Sequence, residues 1–165
     1  SLILIVGVTG DTHNNLKNIK KICSIFNENR ADLVFHTGDI TLPKSLMTFK
    51  KLNSPLVVIL GNNDVEEKSG LREVSNEFNC KIFEEPFSME LNDLNISVLH
   101  HPELITEEMM KSNDLILHGH THRYRLEKKF NSIIFNPGEC AGFMKGKNQV
   151  GLINLNNLDT RIINF

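Results

Sequence analysis

Leu2-Ile3-Leu4-Ile5-Val6-Gly7-Val8-Thr9-Gly10-Asp11-Thr12-His13 decides how this chain folds. It opens as an unbroken apolar, β-branched run over residues 2–8, which suits a strand buried on both faces. The run stops at glycine. A carboxylate and an imidazole follow, two residues apart, just past the strand's carboxyl end. Next, Leu16, Ile19, Ile22, Cys23 and Phe26 recur at helical spacing, with Lys17, Lys20 and Lys21 on the opposite, solvated face. Asn14 or Asn15 can cap that helix.

The same unit repeats downstream. Residues 32–36 read as a strand ending at Thr37-Gly38-Asp39, and Pro43 opens a short helix carrying Leu46, Met47 and Phe49. Residues 56–60 read as a third strand, ending at Gly61-Asn62-Asn63-Asp64. A charged helix is expected over 66–78, with Leu71, Val74 and Phe78 as its apolar stripe. This β-α-β-α-β order predicts a parallel sheet with right-handed crossovers.

After Pro86 the texture turns to strands. Residues 87–91 and 94–99 pair across the tight turn Asn92-Asp93, and the second of them ends at His100-His101-Pro102. Thr106 caps a short helix over 106–111, with Glu107 and Glu108 in its first turn. Residues 115–117 form a strand leading into His118-Gly119-His120-Thr121-His122. Further strands are expected at 124–128, 133–136, 150–155 and 161–165, with Asn156-Asn157 turning between the last two. No repeat, low-complexity segment or linker interrupts the chain, so residues 1–165 read as one α/β domain with a β-rich second half.

The bulk numbers narrow the function. A net charge of −2 offers no electrostatic footprint for bulk nucleic acid or an anionic membrane, although a local basic patch would not show in it. No apolar run approaches the roughly 20 residues that span a bilayer. The opening run is too short for a signal peptide and lacks its basic flank. The cysteines, Cys23, Cys80 and Cys140, are odd in number and far apart, matching neither a disulfide framework nor a thiolate zinc site. A reducing, cytoplasmic setting is expected.

Polar residues gather at the strand ends: Asp11 and His13, Asp39, Asn62 and Asp64, His100 and His101, and the 118–122 cluster. Ligands of open α/β sheets bind beyond the carboxyl ends of strands, so residues distant in sequence are expected to be neighbours in space. Crowded imidazoles repel when protonated, and sharing a metal keeps them neutral. Imidazole nitrogen mixed with carboxylate and amide oxygen suits two divalent transition ions, such as Mn²⁺, Fe²⁺, Co²⁺, Ni²⁺ or Zn²⁺. His36, facing inward from its strand, is expected to be a satisfied core histidine.

Asp11-x-His13, Gly38-Asp39, Gly61-Asn62-Asn63-Asp64, His100 and Gly119-His120-Thr121-His122, in this order, resemble the motifs of the calcineurin-like metallophosphoesterase superfamily. The compact size and Asn136-Pro137-Gly138-Glu139-Cys140 resemble its small single-domain archaeal and bacterial phosphodiesterase branch. The resemblance implies a four-layer α-β-β-α sandwich of two mixed β-sheets flanked by helices. It implies that Asp11, His13 and His122 hold one ion, that Asn62, His100 and His120 hold a second, that Asp39 bridges, and that Asp64 orients its neighbours. His100 is preferred to His101 because the family's ligand is the first residue past the strand. The implied cofactors are two divalent metal ions, Mn²⁺ first, with Ni²⁺, Fe²⁺, Co²⁺ or Zn²⁺ as alternatives. The implied reaction is hydrolysis of a small phosphate ester: a metal-bridging hydroxide attacks phosphorus in line, with Asp39, Asn62, Asp64 and His100 as catalytic residues. Relatives often form homodimers, but no stripe here marks an interface.

One departure bears on the substrate. Many relatives carry histidine where this chain has Asn63, and an amide cannot act as an acid at neutral pH. Phosphodiesters and activated esters therefore fit better than phosphomonoesters, with His101 and His118 as replacement donors. Two other functions compete. A binding scaffold of the same fold, such as the superfamily's retromer subunit, tends to lose ligand residues, whereas all of them are present here. A nuclease would need a basic groove or a capping domain. Substrate choice falls to the loops at 41–45, 63–70, 101–110 and 139–148. Of these, the Gly142-to-Lys147 stretch reads as an ordinary surface turn, with a mobile, phosphate-meeting loop as the alternative. Nothing around Cys140 argues for reactivity.

Overall fold

The computed structural model describes residues 3–165, and the first half of the chain alternates as the sequence predicts. It runs β1 (Ile5–Thr9), α1 (Leu16–Glu28), β2 (Leu33–His36), α2 (Pro43–Thr48), β3 (Leu56–Ile59), α3 (Lys68–Ser75) and β4 (Cys80–Phe83). The second half runs β5 (Phe87–Leu91), β6 (Leu94–Val98), α4 (Glu107–Ser112), β7 (Leu115–Leu117), β8 (Arg125–Lys129), β9 (Ser132–Asn136), β10 (Gln149–Asn154) and β11 (Thr160–Asn164). One sheet has the order β11-β10-β1-β2-β3-β4 and the other β5-β6-β7-β9-β8. Strands β1 to β4 are parallel, as are β6, β7 and β9; the remaining pairings are antiparallel.

Side-chain alternation builds the layers. Val6, Val8, Phe35, Val57 and Ile59 of the first sheet meet Ile96, Val98, Leu115, Leu117 and Phe135 of the second in one inner core. The intervening residues Val34, Leu56 and Val58 turn outward against Ile19, Ile22 and Phe26 of α1 and Leu71 and Val74 of α3. Beyond the second sheet, Ile116 and Ile134 pack on Met109 and Met110 of α4. The result is the expected α-β-β-α sandwich. Each fully buried side chain of this kind contributes about 1.5–3 kcal/mol relative to exposure. Gly7 lets α1 lie close, because a Cβ there would stand 2.7 Å from the Phe26 ring.

The structure differs from the sequence expectations at a few places. The first strand begins at Ile5 rather than at Leu2, which lies outside the described residues. The helix expected over 66–78 is a 3₁₀ turn, Val65–Glu67, followed by the shorter α3. Asp64 stands at its N-cap but makes no side-chain cap, because both its oxygens are engaged elsewhere. Strand β4 was missed: it has only four residues, alternates buried Cys80 and Ile82 with exposed Lys81, and lies directly behind the expected helix. The Asn92-Asp93 turn holds, with φ of 50° and 64° at the two residues, the left-handed pair of a type I′ hairpin. Thr106 caps α4, accepting from the Met109 N–H at 3.1 Å.

Register then positions the site. Thr9 pairs with His36 and His36 with Val58, while Val98, Leu117 and Phe135 line up across the second sheet. The loops that follow β1, β2, β3, β6 and β7 therefore emerge together. Among the described residues no helix is long and apolar enough to cross a membrane.

Candidate metal centre

The loops after β1 and β2 are sewn together by their backbones. Asp11 N–H donates to Gly38 O at 2.8 Å and His13 N–H to Asp39 O at 2.9 Å. Asp11, His13, Asp39, His120 and His122 all have φ between 48° and 73°. A left-handed backbone costs a non-glycine residue about 1–2 kcal/mol, and such strain persists mainly where surrounding structure and function require it. It turns these side chains inward from sharply bent loops.

His100 sits at the middle and is fully buried. Its Nδ1–H donates to Thr37 O at 3.0 Å, which turns Nε2 into the site. There Nε2 lies 3.0 Å from Asn62 Oδ1, 3.2 Å from His120 Nδ1, 3.3 Å from Asp39 Oδ2 and 3.9 Å from Asp11 Oδ1. Asp11 Oδ2 accepts from His120 N–H at 2.9 Å. Its other oxygen is buried with no hydrogen-bond partner, 3.5 Å from His122 Nε2. Three overlapping groups have ligand atoms within 4.8 Å of one another: Asp11, His13 and His122; Asp11, Asp39 and His100; His100, His101 and His120. The structure thus gathers all seven residues expected to ligate metal, and draws in His101 as well.

The electrostatics match this crowding. Burial works against charge on Asp11 and leaves its pKa raised. Burial also raises the Asp39 carboxyl, but the hydrogen bond with His100 and the two donors of Asn63 outweigh it and hold Asp39 below the usual range. His100 resists protonation by burial, yet its hydrogen bond to Asp39 and the charges of Asp11 and Asp39 leave its pKa raised. Lone pairs facing one another around an orphaned carboxylate oxygen need positive charge between them. The donor set is imidazole, carboxylate and amide oxygen, which fits divalent transition ions.

A surrounding shell holds these groups in place. Asp64, fully buried, accepts from Gly61, Asp39 and Thr41 N–H groups at 2.7–2.8 Å and so locks the β2 and β3 loops together; burial pushes its pKa up. Asn63 donates to Asp39 from its main chain at 2.9 Å and from Nδ2 at 2.8 Å. Glu85 Oε2 accepts from His101 Nδ1 at 2.7 Å, while Oε1 accepts from the His100 and His101 N–H groups. Glu139 Oε2 accepts from His122 Nδ1 at 2.9 Å. Glu85 and Glu139 escaped the sequence reading because neither belongs to a ligand motif, although Glu139 lies in the Asn-Pro-Gly-Glu-Cys stretch.

Two histidines belong to the scaffold. His36 Nδ1 accepts from Gly38 N–H at 3.1 Å and Nε2 meets Thr12 Oγ1 at 2.8 Å, so it braces the loops after β1 and β2; burial pushes its pKa down to about 3. His118 donates from Nδ1 to Gly119 O and meets Arg125 at Nε2, leaving neither nitrogen free. The Cys140 thiol, buried, is pushed up to about 12, which keeps it unreactive.

This fold and this cluster place the chain among the calcineurin-like phosphoesterases. Residues 4–158 match the family model of the calcineurin-like phosphoesterase superfamily domain, and the chain belongs to that family. Its relatives include Phosphodiesterase MJ0936 of Methanocaldococcus jannaschii, 32% identical over 164 residues, covering 96% of this chain and 97% of the relative. An archaeal phosphodiesterase structure superposes with a TM-score of 0.85 at 30% identity, covering 98% of this chain and 100% of that one. YfcE, a phosphoesterase from E. coli, shares the fold with a TM-score of 0.71 at 18% identity, covering 98% of this chain and 99% of that one.

Proposed function

We propose that residues 1–165 form one metallophosphoesterase domain that hydrolyses phosphodiesters at a dinuclear centre, with Mn²⁺ as the preferred ion. One observation carries this reading: the Asp11 Oδ1 oxygen, buried and without a hydrogen-bond donor, is set among His122, His100 and Asp39. Asp11, His13 and His122 would hold one ion; Asn62, His100 and His120 the other; Asp39 would serve both. Two divalent ions held there supply positive charge opposite the phosphoryl oxygens and an activated water for in-line displacement.

The chain's own groups do the positioning. Asn63 fixes both oxygens of Asp39, and Asp64 fixes the backbone on either side of them. Thr37 O and Glu139 select the tautomers of His100 and His122 that turn Nε2 inward. Of the two histidines open as donors in place of Asn63, His101 has a free Nε2 beside His120, and its Nδ1 rests on Glu85. Glu85 accepts from Nδ1 and orients the ring, so that a proton carried on Nε2 can be delivered to the departing ester oxygen. A phosphodiester suits a site whose residue 63 is an amide.

The test is hydrolysis of bis(4-nitrophenyl) phosphate with Mn²⁺. Wild-type protein should turn it over, and Asp39→Asn should lower the rate by at least about 100-fold. Retained activity in that variant would remove Asp39 from the centre. A protein that binds no ion after Mn²⁺ addition, by elemental analysis, would instead be a scaffold of this fold.

A further inference from the structure

Phe143 is 95% exposed and Met144 beside it 69% exposed, on the loop that joins β9 to β10. The backbone under them is nonetheless firmly held. Buried Asn18 of α1 donates from Nδ2 to Cys140 O at 3.0 Å and Gly142 O at 2.9 Å. Asn15 Nδ2 donates to Ala141 O at 3.1 Å. Asn148 accepts from Gly142 N–H at 2.8 Å and donates back to Gly142 O at 3.1 Å. Glu139 accepts from Ala141 N–H at 2.8 Å with the oxygen that does not touch His122. An aromatic ring left in water forgoes about 1.5–3 kcal/mol of burial. A loop anchored by four side chains, with its aromatic turned outward, presents that ring to something.

What lies beside it is basic. A cleft of about 440 Å³ starts at His13 and Asn14 and runs along Phe143. It continues past Lys17, Lys21 and Lys145 into a hollow of about 520 Å³ that adds Lys20. No Asp or Glu side chain lines this path among the described residues. Helix α1 starts at the metal-ligand loop, so Lys17 and Lys21 lie one turn, roughly 6 Å, apart on a line leading away from His13. The net charge of −2 conceals this track because the acidic residues lie elsewhere.

We propose that the track binds a single-stranded oligonucleotide, with one phosphodiester at the metal centre, a base stacked on Phe143, and following phosphates against Lys17, Lys21 and Lys145. Stacking platforms beside a basic groove are the general way proteins hold single strands without sequence preference. The assignment of the cleaved bond rests on the phosphodiesterase function proposed above; the binding does not.

Fluorescence anisotropy with Mn²⁺-loaded protein and a labelled phosphorothioate oligo(dT) tests the binding. Phe143→Ala should weaken it about tenfold, in line with one base-stacking contact. The triple variant Lys17→Gln, Lys21→Gln, Lys145→Gln should flatten the slope of log affinity on log salt by about 2, at roughly 0.7 per phosphate contact. The triple lysine variant should hydrolyse bis(4-nitrophenyl) phosphate like wild type, since that ester carries no second phosphate for the lysines to meet. Absent wild-type binding, or binding that neither variant alters, overturns the proposal. So does a Phe143→Ala variant that changes oligomeric state and leaves oligonucleotide binding intact, which would make this face a protein contact. If the oligonucleotide binds as expected while wild-type protein leaves the aryl diester untouched, the track stands and the phosphodiesterase function falls.

Discussion

Glu139 links His122 to the loop between β9 and β10: one carboxylate oxygen accepts from His122 Nδ1 at 2.9 Å and the other from Ala141 N–H at 2.8 Å. The imidazole is thereby held as the tautomer whose Nε2 faces Asp11. A carboxylate behind a metal-binding histidine fixes ring orientation and raises basicity. Glu139→Gln should therefore weaken Mn²⁺ binding by about 10–100-fold, read by isothermal titration. Unchanged affinity would reduce Glu139 to a loop anchor.

His101 should reveal itself through the leaving group. A 4-nitrophenolate departs with little need of a proton, whereas an alkoxide needs one. His101→Gln should leave hydrolysis of bis(4-nitrophenyl) phosphate within a few-fold of wild type and slow an alkyl phosphodiester by about 10²–10⁴-fold. Equal losses on both esters would instead make His101 part of the metal-holding set with His100 and His120.

Gly61 carries a steric condition for the centre. A Cβ there would stand 2.4 Å from Asp39 Oδ1 and 2.6 Å from Asp39 N. The backbone nitrogen cannot swing away as a flexible side chain would. Gly61→Ala should cost about 1–3 kcal/mol in urea unfolding and reduce Mn²⁺ binding as well. A variant with normal metal affinity would show that the β2 loop yields without moving the carboxylate.

His36 predicts a pH dependence of stability. Burial lowers its folded pKa to about 3 from 6.5, so between those values the unfolded chain binds a proton that the native state does not. Its stabilising effect is complete above pH 6.5 and is lost as pH falls toward 3, by about 1.4 kcal/mol per pH unit. Urea midpoints of metal-free protein should fall across that window, and His36→Gln should flatten the fall. The difference between the two proteins cancels the contributions of His118 and His100, which both retain. Parallel curves would mean that His36 protonates without unfolding.

Much of the fold was legible because its signals are local. Val6 and Val8 alternate with Gly7, and Ile19, Ile22 and Phe26 recur at helical period, whatever surrounds them. The meeting of the candidate ligands was legible for a related reason: Asp11, Asp39, Asn62, His100 and His120 each stand just past a strand, so placing the strands places them. Strand β4 was not legible, since four residues with one lysine carry too short a pattern. The break ahead of α3 was hidden as well, because it depends on Asp64 bonding to three backbone N–H groups, two of them on the β2 loop.

By itself, then, the sequence determined the order of strands and helices, the family motifs and the residues able to meet at the strand ends. Only the tertiary structure decided how each of them is held there. It separated His101, with one nitrogen free, from His118, with none. It supplied Glu85 and Glu139 as orienting carboxylates. It brought Lys17, on a solvated helix face, and Lys145, on a surface turn, together to line one cleft. Hydrogen-bond direction and groove lining arise from elements far apart in the chain, brought together by sheet register and core packing, and no local pattern encodes them.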